Sequence, residues 1–167
     1  MTSVLAVCGS AAPGRGPLGP DEATGNVCMQ DVTTSVVTFG WPYVRNAGGT
    51  PAVITAVALA HSRGVKLLTA FAVPQTGTVG YGAQLGPPPG DLRLPGFQWS
   101  EHRDAVGATI RKSQQVKQTD LLYVVEMLSD RATASGVIVR YRVGSQHYTL
   151  TTGWGFTFLR PGQTCHK

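Results

Sequence analysis

The side chains with the clearest chemistry in this sequence are its three cysteines, Cys8, Cys28 and Cys165. Cys28 precedes the first strand-like run and Cys165 follows the last one. Because the first and last strands of an antiparallel sandwich often lie close together, we predict a disulfide bond between them, with two free thiols as the alternative. The bond would close a loop of 137 residues and, in the chain-entropy model, stabilise the fold by about 4–5 kcal/mol. It would also indicate an oxidising compartment.

The third cysteine follows a short apolar stretch at the start of the chain. Leu5–Cys8 resembles a bacterial lipobox, in which the cysteine receives a lipid, although Val7 stands where a small residue is usual. The stretch also resembles the end of an export signal that lacks its basic front and full apolar length, as a start codon chosen too late would leave it. We predict lipidation of Cys8. An incidental cysteine in a disordered tail is the alternative.

The spacing of ligand side chains predicts no metal or cofactor site. No two histidines are two or four residues apart and no Cys-x-x-Cys occurs, whereas zinc sites draw on such clusters. The histidines are His61, His102, His147 and His166. A copper site of Met29, Met127 and His147 is an alternative. The favoured interpretation is that Met127 fills the core and Met29 flanks the disulfide.

No arrangement of residues predicts catalysis. The Gly-x-Ser-x-Gly of a serine hydrolase is absent. Glu101 and Asp104, three apart, could share acid–base work on one helical face, but with Arg103 between them a solvated turn is favoured. We therefore predict a non-enzymatic domain, and an enzyme whose site is assembled in space is the alternative.

The charge of the chain favours a mildly basic surface. The net charge is +5, yet no Lys/Arg run is longer than Arg111-Lys112, so we predict no nucleic-acid partner. No acidic residue follows Asp130, whereas five basic residues do. A basic exposed face in the last third of the chain is the expectation.

The composition and patterning favour strands joined by turns. Only 14% of residues are charged, with 21 Gly and 11 Pro. The clearest unit is Val137 to Thr152, where the two-residue loop Gly144-Ser145 predicts a type II′ hairpin. Its alternation assigns two faces. The core face comprises Val139, Tyr141, Tyr148 and Leu150, and the solvent face Arg140, Arg142, His147, Thr149 and Thr151.

Further strands are predicted on both sides of one long irregular segment. In Ala52 to His61 the alternation places Val53, Thr55, Val57 and Leu59 on one face. Residues 74–95 are Gly- and Pro-rich and predict an irregular loop. The resulting fold class is all-β, an antiparallel two-sheet immunoglobulin-like sandwich. The predicted domains are 1–27, an export-signal remnant with a flexible Gly/Pro linker, and 28–167, the sandwich; no stretch is long enough to span a membrane.

Two surfaces are the candidate binding sites. One is the 74–95 loop around Tyr81, with Trp99 just after it; Trp41 and Trp154 are expected in the core. The other is the solvent face of the hairpin, with Arg140, Arg142 and His147.

Residues 46–59, the hairpin residues 139–148 and the terminal strand with Cys165 resemble small immunoglobulin-like domains of actinobacterial secreted proteins and lipoproteins. The resemblance covers roughly residues 28–165 and carries no catalytic residues over. It implies a secreted or lipid-anchored domain of the cell envelope. We expect it to bind an envelope protein or a cell-wall component, and to contact the membrane only through a lipid on Cys8. A purely structural tether is a further alternative, beside the exported copper carrier or enzyme.

Overall fold

Strands account for nearly all regular structure in the part of the chain that the structure describes. This computed structural model describes residues 16–19, 24–77, 81–90, 93–114, 116 and 118–165, without the side chains of residues 41 and 42. Cys8, His166 and the Trp41 side chain therefore lie outside the described residues. The strands are β1 (Leu18–Gly19), β2 (Gly25–Met29), β3 (Val36–Asn46), β4 (Ala52–Ala60), β5 (Val65–Gln75), β6 (Gly82–Leu85), β7 (Arg103–Asp104), β8 (Thr109–Ile110), β9 (Gln118–Met127), β10 (Arg131–Ala134), β11 (Gly136–Val143), β12 (Gln146–Thr151) and β13 (Trp154–Leu159). A 3-10 helix spans Trp99–Glu101.

The first layer is a six-stranded sheet in the order β1-β3-β9-β5-β7, and β6 also pairs with β3. Its central strand, β9, is buried along almost its whole length. Successive side chains of β9 point to opposite faces, so both faces of the sheet are covered there. Leu121, Tyr123 and Val125 belong to the main core, whereas Leu122 belongs to a second apolar cluster.

The second layer consists of a four-stranded sheet, β12-β11-β4-β8, and a three-stranded sheet, β10-β13-β2. Only Ser135 separates β10 from β11. The pair β2–β13 is parallel, and the other strand pairs of the described residues are antiparallel. The parallel pair brings the beginning and the end of the fold side by side.

The core lies between these two layers. Its apolar side chains come from all three sheets. The Phe39 ring centroid lies 5.1 Å from that of Tyr123, on the same sheet, and 4.7 Å from that of Phe156, on the other layer. Aromatic rings at this separation attract each other beyond the area that they bury. The predicted all-β sandwich is confirmed, and its architecture is consistent with an immunoglobulin-like domain.

The hairpin of β11 and β12 is confirmed residue by residue. Arg142 pairs with His147, Tyr141 with Tyr148 and Val139 with Leu150. Gly144 has a φ of +59°, as the first central residue of a type II′ turn requires. The φ of Ser145 is not positive, as the second central residue of that turn requires. Tyr141 is buried in the core, and Tyr148 and Leu150 pack against it.

In β4 the predicted alternation is wrong because the strand carries a β-bulge. Arg140 pairs with Ala56 but Tyr141 pairs with Ile54, so Thr55 is an extra residue without a partner on β11. The extra residue reverses the alternation. Ile54 is therefore buried, Thr55 is exposed, and Val57 packs against the core from the same side as Ile54.

The strands begin earlier than the predicted boundary at residue 28. Leu18 is buried and pairs with Asn46, and its backbone N–H donates to the Tyr141 hydroxyl at 3.3 Å. Gly25 to Met29 forms β2. The Gly/Pro-rich sequence from 16 to 19 is therefore part of the sandwich, because buried partners fix a segment whose own composition favours disorder.

The predicted 74–95 loop is also more regular than its composition indicates. β5 runs on to Gln75, and Gly82–Leu85 pairs with β3. Leu94–Trp99, which we call the strap, then lies over the outer face of the six-stranded sheet. Hydrogen bonds hold it to the end of β5: Thr76 N–H donates to the Gly96 carbonyl at 2.9 Å, and Gln98 N–H to the Pro74 carbonyl at 3.0 Å.

Candidate functional site

The predicted disulfide joins Cys28 and Cys165, whose Cα atoms lie 6.1 Å apart. Cys28 sits in β2 opposite Thr157 of β13, and Cys165 follows β13 after a short turn. The parallel pairing of β2 and β13 is what brings the two cysteines together. A disulfide is consistent with an oxidising, extracytoplasmic location. Within the described ranges, no helix has the length and apolar character needed to cross a membrane.

Arg140, Arg142 and His147 form one exposed surface, which we call the cationic face. Arg142 and His147 are directly opposite each other, and Arg140 is two residues from Arg142 on the same side of β11. The Arg142 guanidinium donates to the Gly144 carbonyl at 3.3 Å. None of the four strands of this sheet contains an Asp or Glu, so no acidic neighbour within the sheet compensates these charges.

A second basic surface lies at one end of the sandwich, where two adjoining cavities of about 360 Å³ and 240 Å³ flank the segment after β8. We call them together the end groove. Arg111, Ser113 and Val116 line both cavities. The basic side chains of the groove are Arg45, Arg103, Arg111 and Lys112, and the acidic one in its lining is Glu101.

Behind this groove a buried polar cluster occupies the outer face of the six-stranded sheet. Asp120 is 3% exposed, and its Oδ1 accepts a hydrogen bond from the Gln118 amide at 3.2 Å. Gln75 also donates to this carboxyl group, and Arg45 donates to Gln118 Oε1 at 3.3 Å. Asp120 Oδ2 has no hydrogen-bond partner among the described residues.

Burial controls the protonation of this cluster. Loss of hydration raises the pKa of Asp120 to about 6, and the two glutamine hydrogen bonds oppose only part of that rise. The pKa of Tyr123 is raised as well, by burial and then by the nearby Asp120 carboxylate. A chain of hydrogen bonds thus connects a surface guanidinium to a carboxyl group that titrates near neutral pH.

The aromatic residues of the first candidate surface are buried more than expected. Trp99 is only 9% exposed, because Phe97 packs on one side and the His102 ring stacks on it at 4.0 Å. Trp99, a candidate contact residue, therefore offers little exposed surface to a partner. Tyr81 is half-buried and stacks on Phe97 at 5.9 Å, and burial raises its pKa to about 12.

The other candidate residues do not converge. Met127 is buried in the core as predicted, and Met29 packs against that core. Glu101 and Asp104 are both exposed, in the 3-10 helix and in β7 respectively. The part of the chain that the structure describes contains no group of three or more His, Cys, Asp or Glu side chains able to hold a metal ion. Trp154, expected in the core, is half-buried at the start of β13.

Sequence reasoning missed the Asp120 cluster and the end groove. The available signal was Gln118-Thr119-Asp120, a polar run at the start of an otherwise apolar strand. The groove gave no local signal, because its basic residues come from distant positions in the chain.

No protein-family model matches this chain and no curated protein matches it, so its resemblance to actinobacterial immunoglobulin-like domains stays a prediction.

Proposed function

We propose that this protein is a non-enzymatic, extracytoplasmic domain of the cell envelope that binds a protein or a cell-wall component through the cationic face. The observation that carries the proposal is the pairing of Arg142 with His147, beside Arg140, on an exposed sheet without acidic residues. The contacting surface of the partner is therefore acidic.

The sheet suits this role because it is rigid and accessible. β11 lies between β4 and β12, and its inward side chains Val139 and Tyr141 are locked in the core. The guanidinium groups thus project from fixed backbone positions, which reduces the entropy lost on binding. Arginine is enriched in protein interfaces, and charge complementarity mainly raises the association rate and the specificity.

The disulfide supports the location that we propose. It links β2 to the residues that follow β13, and such bonds persist where thiols are not kept reduced. A lipid on Cys8 would hold the domain at the outer surface of the membrane and would place the cationic face within reach of envelope components.

The proposal is tested by recovering partners from envelope extracts with the purified domain. We expect Arg140→Ala/Arg142→Ala to lose roughly tenfold or more of the recovered partner, because each charged hydrogen bond contributes about 1.5–3 kcal/mol. The wild-type interaction should also weaken as salt rises.

The matched control is Lys66→Ala/Arg131→Ala, which removes the same charge at exposed positions outside the cationic face. It should recover the partner as the wild type does. Equal recovery by the face variant and the wild type would contradict the proposal. Equal loss in both variants would show that binding depends on net charge and not on the cationic face, which would also contradict it.

A further inference from the structure

We propose that the end groove is a second binding site, for an anionic ligand that presents several phosphate or carboxylate oxygens. The groove shares no residue with the cationic face, so the failure of one proposal would not contradict the other. Its position is the end of the sandwich where β3, β5, β8 and β9 meet.

The charges of the groove carry the first part of the argument. Arg45, Arg103, Arg111 and Lys112 are all exposed. Against these four cations, Glu101 is the acidic member of the lining among the described residues. Like charges gathered in a concave site focus the field on its interior, and an anion is the species that relieves their mutual repulsion.

The hydrogen-bonding capacity of the lining points the same way. Guanidinium and ammonium groups only donate, and the Thr109 hydroxyl adds a further donor. The carboxamide oxygen of Gln118 is already engaged by Arg45. A donor-rich lining needs a ligand rich in acceptor oxygens, and guanidinium groups match phosphate and carboxylate in a bidentate geometry.

A buried amide fixes the central part of the groove. The Asn46 side chain donates to the carbonyls of Ile110 and Thr50, each at 2.9 Å, and accepts from Gly48 N–H. Ile110 is itself buried and pairs with Ala52. The residue that follows it, Arg111, is therefore anchored at its backbone where the two cavities meet, which reduces the ordering that binding would require.

The size of the groove restricts the ligand further. Cavities of about 360 Å³ and 240 Å³ lie at or below the lower end of the range usual for small-molecule sites. The groove thus accommodates a small polyanion or the end of an anionic polymer. The two sources share one chemistry and differ in whether affinity grows with chain length.

The experiment is a calorimetric titration of the intact, disulfide-bonded protein with pyrophosphate, citrate and glycerol-phosphate oligomers at low ionic strength. We expect saturable binding of at least one probe, at a stoichiometry of about one for the short probes. Arg111→Ala should weaken it roughly tenfold or more, because a charge-assisted contact at the junction of both cavities is lost. Arg111→Lys should retain part of the affinity, since lysine keeps the positive charge but not the planar guanidinium that donates two parallel hydrogen bonds.

Two controls separate the outcomes. Lys66→Ala/Arg131→Ala, which removes two exposed positive charges outside the end groove and the cationic face, should bind the probes as the wild type does, which separates a loss at Arg111 from an effect of net charge. Affinity that rises with oligomer length identifies a polymer as the source, and affinity independent of length identifies a small metabolite. No saturable binding of any probe up to millimolar concentration, or binding unchanged in a folded Arg111→Ala protein, would overturn the proposal.

Discussion

At the scale of single residues, Asp120 is the side chain whose environment conflicts most with its chemistry. It is buried on β9 between apolar neighbours, with glutamine amides rather than cations as its direct partners. A carboxylate in such surroundings holds its proton more tightly in the folded state than in the unfolded chain. Neutral pH therefore charges a group that the fold accommodates better when it is neutral.

This gives a signed prediction for the pH dependence of stability. The pKa of Asp120 rises from 3.8 to about 6 on folding. The stabilisation that comes from this raised pKa is fully present below pH 3.8 and is lost as the pH rises through 6. It amounts to about 2–3 kcal/mol of unfolding free energy. Asp120→Asn removes the ionisation, so we expect this variant to exceed the wild type in stability at pH 7.5 and to lose that advantage near pH 4.

Urea unfolding monitored by tryptophan fluorescence across this pH range checks the prediction. Glu126→Gln removes the same charge at the other end of β9 and should follow the pH dependence of the wild type. A constant difference between Asp120→Asn and the wild type from pH 4 to 7.5 would show that the carboxyl group is not perturbed.

At the scale of elements, the structure of the strap depends on a single glycine. Gly96 has a φ of +77°, and a Cβ atom there would lie 2.6 Å from Gly77 N and 2.8 Å from Gln75 Oε1. The strap supplies Phe97 and Trp99 to the outer apolar cluster. Without a close fit at Gly96, those rings could not cover β5 and β9.

Gly96→Ala should therefore destabilise the domain by about 1–3 kcal/mol, the cost of a left-handed conformation plus the displaced neighbours. Gly90→Ala is the matched control, since a Cβ there meets no atom within 4 Å and its φ is not positive. Thermal unfolding compares the two variants, and limited proteolysis shows whether the strap opens first. Equal melting temperatures for both would refute a structural role for Gly96.

The elements also show which parts of the fold the sequence could predict. The β11–β12 hairpin was predictable in register and in facing, because strict alternation on both sides of Gly144-Ser145 leaves one pairing that buries Tyr141. The β4 pattern misled because one extra residue, Thr55, reverses the facing without changing the composition. The strap and the strand at Leu18 were not predictable, since distant partners hold them and their own sequence is rich in glycine and proline. The end groove was not predictable either, because its basic residues come from distant positions in the chain.

At the scale of the whole molecule, one covalent bond links the ends of the sandwich. β2 follows the short strand β1, and β13 is the last strand; the two pair in parallel from Gly25 with Trp154 to Met29 with Phe158. Because β2 is an edge strand, it can be lost by local opening. The Cys28–Cys165 bond restricts that opening by keeping β2 and the residues after β13 together.

We expect Cys28→Ser/Cys165→Ser to lower the unfolding free energy by about 3–5 kcal/mol, because the 137 residues between the two cysteines regain their freedom in the unfolded chain. Since single domains are stable by only about 5–15 kcal/mol, such a loss is a large share of the total and should lower the melting temperature measurably. Cys8→Ser is the control, because it keeps the bond intact and should unfold as the wild type does. Reducing agent should lower the unfolding midpoint of the wild type and of Cys8→Ser, and leave the double variant unchanged. Suppose that the wild type has the same unfolding midpoint with and without reductant, and that the reductant is shown to free both thiols. Packing alone would then hold β2 against β13. The argument from the disulfide to an oxidising compartment would then lose its physical basis.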